Sequence, residues 1–538
     1  MKTVLFALNA SYSHTNLAVR AIGATLRRAG FETVLVEKNL KDAYHRVLWS
    51  LYEEKAAVYG FSAYIWNVSE MLRLACELKT LLPEAAIVFG GPEVSFCDES
   101  FFARYPFVDF IIAGEGEEAF PQLCSMLSCG KTPPHILAAR PYRDFVHGGI
   151  YYDEIGDAPR GLVYYESVRG CPFSCAYCLS SVTQGMRAKS VPHVLSDLAA
   201  FERYDGIRTV KLVDRTFNFD RERAGTIWRA LAGEAYTKEY HFEICAALLD
   251  EESFAVLARA PKGKFRLEIG VQSTNPDTLR AVHRALDTDK TLTAMKRLHA
   301  MGNLHIHADL IAGLPHEDFS SFGLSFDAVY GHCNVLQLGF LKLLLGCDLR
   351  ENAEKWGIRY SPYPPYEVLE TADLSFDELT RLRAIEGLLE RFSNSGKFPY
   401  TFPYLPLCGK SAFAFFSGLA AFAAETFRCD DISRLSQAEA FRLILDYAEK
   451  LEKEGAPICR EEVRERLMID FLIGERRRLP PFLASVPVTD KERERALSSV
   501  PWQARAGCEV VRCRFMGDGL LVVDRAAGAL IRTSDIAD

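Results

Sequence analysis

No stretch of this 538-residue chain is both apolar enough and long enough to cross a bilayer. The longest weakly apolar run, AFAFFSGLAAFAA (Ala412–Ala424), falls short of the roughly 20 residues a span needs and reads as a buried helix. No basic segment followed by an apolar one opens the chain; MKTVLFALNA runs straight into a strand pattern. Positive charge is in deficit too. A net charge of −8 supplies no basic face for nucleic acid, and no such partner is expected. The expectation is a soluble, cytoplasmic protein without a membrane span. Internal repeats and low-complexity tracts are missing, and a hydrophobic content of 49% argues against disorder over most of the length. That length suggests about three domains.

What the chain does have is cysteine, fifteen in all. Without a leader, this usage points to reduced thiols and metal chemistry rather than disulfides. Most sit alone, such as Cys76, Cys97, Cys124, Cys245 and Cys459, and isolated cysteines are usually small buried hydrophobes. Cys508 and Cys513 lie closer together but lack a second pair, and read as structural. Cys171, Cys175 and Cys178 are different. They fall within RGCPFSCAYC (Arg169–Cys178), at C-x3-C-x2-C spacing.

The first 125 or so residues alternate strand and helix. Continuous apolar runs at Thr3–Ala10, Thr33–Asn39, Ala56–Tyr64, Ala85–Gly91 and Val108–Glu117 read as parallel strands buried on both faces, hence a doubly wound α/β sheet over 1–130. The Pro- and Gly-bearing stretch 131–160 reads as a linker. A second alternation over 161–345 has strands at Gly161–Gly170, Thr209–Asp214, His241–Leu248, Phe265–Gln272, Leu304–Gly313 and Val335–Leu343. Helical segments such as Asp220–Leu231 and Asp277–Arg284 fall between them. Six such units predict a partial (β/α)6 barrel with its chemistry on loops after the strand ends. Residues 346–538 read as mostly helical, with a capping box at Ser375 and Glu378 and a late hairpin around Gly517–Asp524.

The cysteine cluster thus lies in the loop after the first barrel strand. Closely spaced thiolates are ligands for zinc or for an iron–sulfur centre. A structural zinc site wants a fourth ligand nearby, but the next cysteine is Cys245 and the next histidine His193. A cubane held by three cysteines leaves one iron open, which suits a catalytic barrel face.

On this spacing, with Tyr177 before the last cysteine, the chain resembles the radical S-adenosylmethionine (SAM) enzymes. The resemblance implies that Cys171, Cys175 and Cys178 bind three irons of a [4Fe-4S] cluster. SAM would take the fourth, where one electron cleaves it to a 5′-deoxyadenosyl radical. It further implies SAM contacts from Tyr177, from Asp214 and Asn218 in DRTFN, from Glu243 and Glu268 as ribose-facing acids, and from Gln272 and Ser273 in GVQS. The common Gly-Gly-Glu after the second strand is missing. AGLP (Ala312–Pro315) resembles a later family motif, although Gly313 and Pro315 could equally be turn chemistry. An electron donor such as flavodoxin or ferredoxin, and a small-molecule substrate, complete the expected partners.

The N-terminal sheet carries small-residue loops after four of its strands, including Asn9, Ala10, Ser11 and Tyr12; Ser62 and Tyr64; Gly90 and Gly91; and Gly114, Glu115 and Gly116. This arrangement resembles the Rossmann-like cobalamin-binding domain that precedes the radical barrel in one large subfamily. No G-x-G-x-x-G follows the first strand, which weakens a dinucleotide reading. Asp-x-His-x-x-Gly, which gives a histidine to cobalt in some cobalamin enzymes, is also missing; His14 lacks the Asp, so cobalt should have no histidine ligand. Tyr64 and Trp66 could pack on the corrin or simply belong to the core. The resemblance implies a cobalamin-dependent radical SAM methyltransferase acting on an unactivated carbon or phosphorus centre. Two readings stand against it: a cobalamin-containing radical enzyme that cyclises, rearranges or oxidises without methyl transfer, and a non-catalytic cobalamin or iron–sulfur sensor.

Overall fold

The computed structural model describes residues 1–11, 15–152, 161–182, 185–284, 286–409, 411–427, 432–475, 477–498, 500, 502–516 and 519–532. It divides into two compact units. One comprises Met1–Gln272, Pro276–His316 and Phe340–Asp373, the other Ser273–Asn275, Glu317–Gly339 and Leu374–Asp538.

In the first unit, strands β1 (Lys2–Asn9), β2 (Glu32–Asn39), β3 (Val58–Ser62), β4 (Ala86–Gly90), β5 (Phe110–Ala113) and β6 (Ile136–Ala138) form one parallel sheet in the order β2-β1-β3-β4-β5-β6. The apolar runs form strands because helices cover both faces. Phe6, Phe61, Phe89, Met71 and Leu74 fill one core layer, and Leu5, Val88, Phe120 and Leu123 the other. Five strands read from the sequence are present: β1 is shifted by one residue, β2 starts one residue earlier, and β3, β4 and β5 are shorter at both ends. The sixth, β6, lies in the stretch read as linker, too short at three residues to carry a periodic signal. Its pairing with β5 corrects the start of that linker; residues 153–160 lie outside the described residues.

A second parallel array in the same unit runs β7 (Gly161–Tyr165), β10 (Ile207–Leu212), β11 (Glu239–Ile244), β12 (Phe265–Gln272), β13 (His305–Ala312), each paired to the next. The expected long strand Gly161–Gly170 instead breaks after Tyr165 into a short antiparallel ribbon of β8 (Val168–Arg169) and β9 (Arg187–Ala188). A sixth strand, β14 (Val335–Phe340), follows in sequence. One face of the array is apolar: Phe242 packs edge-on to Trp228 of the helix Arg221–Leu231, at 6.2 Å between ring centroids. The alternate residues of β10–β13, including Lys211, His241, Glu243, Glu268, His307 and Asp309, project to the other face, because side chains reverse at each step of a strand. The short pair β15 (Arg359–Tyr360) and β16 (Val368–Glu370) completes this unit.

The second unit is mostly helical, as the sequence suggests. Helices Phe376–Leu388, Gln437–Lys453 and Asp490–Leu497 each begin at a reciprocal capping box, at Ser375/Glu378, Ser436/Glu439 and Thr489/Glu492. AFAFFSGLAAFAA forms the helix Ala412–Phe427, and Phe415 and Phe416 bury with Phe402, Phe441 and Phe471. The expected hairpin is a three-stranded antiparallel sheet of β17 (Cys508–Cys513), β18 (Gly519–Asp524) and β19 (Ala529–Arg532). No helix among the described residues is long and apolar enough to cross a membrane.

Candidate functional site

Local chemistry shapes the cysteine loop before any metal is considered. Asp214, fully buried just after β10, accepts hydrogen bonds from Ser167 N (2.7 Å), Val168 N (2.9 Å) and Ser167 Oγ. This anchors the turn between β7 and β8. Gly170 then takes φ +93, and a Cβ there would stand 2.5 Å from the Gly185 carbonyl, so only glycine fits between the ribbon and Cys171. Ala176 exchanges backbone hydrogen bonds with Val282 and Leu349, which pins the loop's centre.

Each of the three thiols has a polar neighbour. Cys171 Sγ lies 3.5 Å from Thr216 Oγ1, Ser180 N donates to Cys178 Sγ (3.4 Å), and Arg284 Nη1 donates to Cys175 Sγ (3.5 Å). Arg284 also donates to the Tyr177 hydroxyl (3.2 Å) and to the Gly270 carbonyl. Such donors stabilise thiolate charge and suit a cluster bound through sulfur. Among the described residues, no three His, Cys, Asp or Glu groups are gathered to hold a single ion, as zinc with its sulfurs at about 2.3 Å would require.

The inward face of the barrel array is layered by register. Lys211, His241, Arg266 and His305 are cross-strand partners in one row; Glu243, Glu268 and His307 form the next row toward the cysteine loop, and Asp309 lies beyond, opposite Gly270. Glu268 is engaged within the protein: Lys211 Nζ donates to it at 2.8 Å and His241 Nε2 stands 3.0 Å away. Burial alone would raise its carboxyl, but these two neighbours hold it down, at about 2. Glu243 has Lys211 Nζ at 3.9 Å and feels the charge of Arg215, yet burial pushes its carboxyl up to about 7. Burial, with Glu268 and Glu243 nearby, also pushes Asp309 up to about 7. Gln272 ends β12 at φ +70 with its buried Oε1 unpaired. A strained, unsatisfied polar residue at a barrel mouth suits ligand contact.

The structure therefore sorts the expected SAM contacts. Tyr177, Glu243 and Gln272 keep hydrogen-bonding capacity at the loop end of the barrel. Asp214 and Asn218 are spent on backbone, Asn218 bonding both N and O of Cys245 at 2.9 Å. Ser273, assigned to the second unit, donates to Glu317 (2.7 Å). Asp309 and Arg284 escaped the sequence reading. The alternation HIHAD carried a signal for the first, since it places polar groups at every second position of a half-buried strand.

Raised carboxyls give this site a pH signature. A folded-state value near 7 against an ordinary 3.8 means that folding retains a proton which the unfolded chain releases. Stability therefore falls as pH rises from about 4 through 7. Asp309→Asn should abolish that share, on the order of 3 kcal/mol. In thermal melts of the cofactor-free protein, the variant should gain several degrees on the wild type between pH 5 and pH 7.5. An unchanged gap would contradict the burial argument.

In the N-terminal sheet, parallel pairing brings Asn9–Ser11, Ser62, Tyr64, Gly90, Gly91 and Gly114–Gly116 to one edge, the carboxyl ends of the strands, where open α/β sheets bind ligands. Gly91 has φ +109, and a Cβ would reach within 2.4 Å of the Ala63 carbonyl. Trp66, 49% exposed, stacks on Tyr64 at 4.5 Å and 10°, presenting a flat apolar surface beside these small residues. Such a cradle fits a large planar ligand. Tyr12 and His14 lie outside the described residues. Glu115 is used differently: its carboxylate pairs with Arg169 (2.7 Å) and Arg187 of the ribbon that carries the cysteine loop.

Residues 3–124 match the B12 binding domain family and residues 165–328 the radical SAM superfamily. The chain joins a B12-binding domain to a radical SAM domain. Residues 354–505 match a protein family of unknown function, DUF4080. Among curated relatives, this B12-binding radical SAM chain is 26% identical to the cobalamin-dependent radical SAM methyltransferase TokK of Streptomyces tokunonensis, over 57% of this chain and 50% of that protein. It is 24% identical to the hopanoid C-3 methylase of Methylococcus capsulatus, over 55% and 60%. The match thus spans less than two thirds of either relative. In fold it is similar to the radical SAM methyltransferase TsrM of Kitasatospora setae (TM-score 0.54, 17% identity, 68% of this chain and 80% of that one). It is also similar to the cobalamin-dependent SAM radical enzyme OxsB (TM-score 0.60, 14% identity, 87% and 78%).

Proposed function

We propose that this protein is a cobalamin-dependent radical SAM methyltransferase that methylates an unactivated carbon or phosphorus centre of a small molecule, with an external electron donor. The observation that carries the reading is the ion pairing of Glu115, on a loop at the corrin edge, to Arg169, two residues before Cys171. This pairing supports a methyl carrier held beside the point of hydrogen abstraction. Adjacent, oriented partners gain large effective molarities, so a substrate radical can be captured before it is quenched. TokK and the hopanoid methylase, named for methyl transfer, support the same reading.

In this reading Cys171, Cys175 and Cys178 hold the cluster, and the sheet-edge loops and Trp66 hold cobalamin. When bound, these groups supply a SAM-derived radical and a transferable methyl. The chain's own side chains do the positioning. Arg284 orients Cys175 and Tyr177 together, Glu243 and Asp309 offer hydrogen bonds to sugar hydroxyls, and Asp214 fixes the turn from which the cysteine loop departs. With methyl-labelled SAM and the true substrate, labelled product should accompany S-adenosylhomocysteine and 5′-deoxyadenosine in comparable amounts. An altered but unlabelled product would transfer the protein to the cyclising, rearranging or oxidising class.

A further inference from the structure

Five charged side chains meet where the N-terminal sheet joins the cysteine loop. Arg169 reaches Glu115 (2.7 Å), Glu117 (2.5 Å) and Glu166 (2.9 Å) at once, and its guanidinium lies 4.5 Å from the centre of the Phe145 ring. Arg187, its cross-strand partner on β9, also binds Glu115 and donates to the Tyr142 carbonyl (2.8 Å). Tyr142 N returns a hydrogen bond to Glu115 (2.9 Å). Arg169 is only 13% exposed and Glu117 6%.

Removing this many charges from water is expensive, and buried ion pairs seldom gain stability over apolar packing of the same size. Their best-supported use is to fix one arrangement against others. Here the arrangement fixed is specific. The turn Gly114–Glu115 leaves β5 at the edge that reads as the cobalamin cradle and enters the helix Gly116–Ser128, whose first turn carries Glu117. Arg169 and Arg187 flank the loop bearing all three clustered cysteines on both sides. Glu115 is shared by both strands of the ribbon, so neither loop can shift without breaking charge-assisted hydrogen bonds of the other.

Resting on the reading of the two cofactor sites given above, we propose that Glu115 and Glu117 with Arg169 and Arg187 couple those sites, so that cluster assembly tightens cobalamin binding. Ordering the cysteine loop presents both arginines, which fix the Gly114–Glu115 turn and the first turn of the helix behind it before the corrin arrives, and the entropy of fixing them is lost once rather than twice. By linkage the effect is reciprocal: bound cobalamin favours retention of the cluster by the same factor. These four are positioning residues.

The test is the affinity of the full-length protein for hydroxocobalamin, measured by equilibrium dialysis without a cluster and after anaerobic cluster reconstitution. In the wild type the cluster should tighten binding at least about fivefold. In Glu117→Gln, which keeps size and hydrogen bonding, and in Arg169→Lys, which loses the planar fork, the ratio should fall toward one while cobalamin still binds. The double variant should lose no more than either single one. A ratio near one in a wild type that binds both cofactors, or a wild-type ratio in both variants, would overturn the coupling alone. A wild type that binds no cobalamin would overturn the coupling and the reading of the domain together.

Discussion

Replacing Cys171, Cys175 and Cys178 together with alanine should leave a protein with no iron–sulfur absorbance and no 5′-deoxyadenosine formation. The three thiols share one loop, pinned at Asp214, Gly170 and Ala176, and each has a hydrogen-bonding neighbour at its sulfur. Cys245, the nearest other cysteine in sequence downstream, is buried, with its backbone clamped by Asn218 and burial pushing its thiol up, away from the thiolate that iron requires. Cys347 is buried likewise, its thiol pushed up to about 12. Alanine at either position should leave iron content within the error of the wild type. Iron retained by the triple variant and lost from the Cys245→Ala or Cys347→Ala protein would reverse the assignment.

Arg284→Ala should be the most damaging change outside the cysteines. It removes at once the donors to Cys175 Sγ, the Tyr177 hydroxyl and the Gly270 carbonyl, from a side chain whose guanidinium is held charged by that surrounding. Losing a partner that orients a metal ligand typically costs about 10–100-fold in affinity or activity. Deoxyadenosine formation should fall within that range. The cluster's midpoint potential should move negative, since a positive charge near the sulfurs favours the reduced form. Arg284→Lys keeps the charge without the fork, and should restore much of the potential but little of the rate. A loss of rate with an unmoved potential in Arg284→Ala would reduce this residue to packing.

The cysteine loop was legible because its information is local: three thiols at fixed spacing, an aromatic and a glycine, all within ten residues. The strands of both arrays were legible because parallel strands buried on one or both faces write apolar or alternating runs. What escaped depends on partners far apart in the chain. Arg284 meets Cys175 across 109 residues, and nothing beside Arg284 marks it. Glu115 was read as a ligand contact because GEGE follows a strand, yet its carboxylate is paired with Arg169, 54 residues on. Glu268 departs from its expected ribose-facing role for the same reason. Alternation shows that Glu268 and Asp309 both point inward, but only the register with Lys211 and His241 shows that Glu268 is held ionised by paired cations while burial pushes Asp309 toward its protonated form. The ribbon of β8 and β9 and the strand β6 are two or three residues long, too short for any periodicity to reveal.

The most direct measurement of the central claim needs no knowledge of the substrate. The reconstituted protein, with cluster and cobalamin, is incubated anaerobically with SAM and a strong reductant, and the nucleoside products are separated by mass. Two products should form: 5′-deoxyadenosine, lost when the three cysteines are replaced, and S-adenosylhomocysteine, lost when cobalamin is withheld. Deoxyadenosine without cobalamin-dependent S-adenosylhomocysteine would contradict methyl transfer, and the absence of both products would contradict the radical SAM assignment itself.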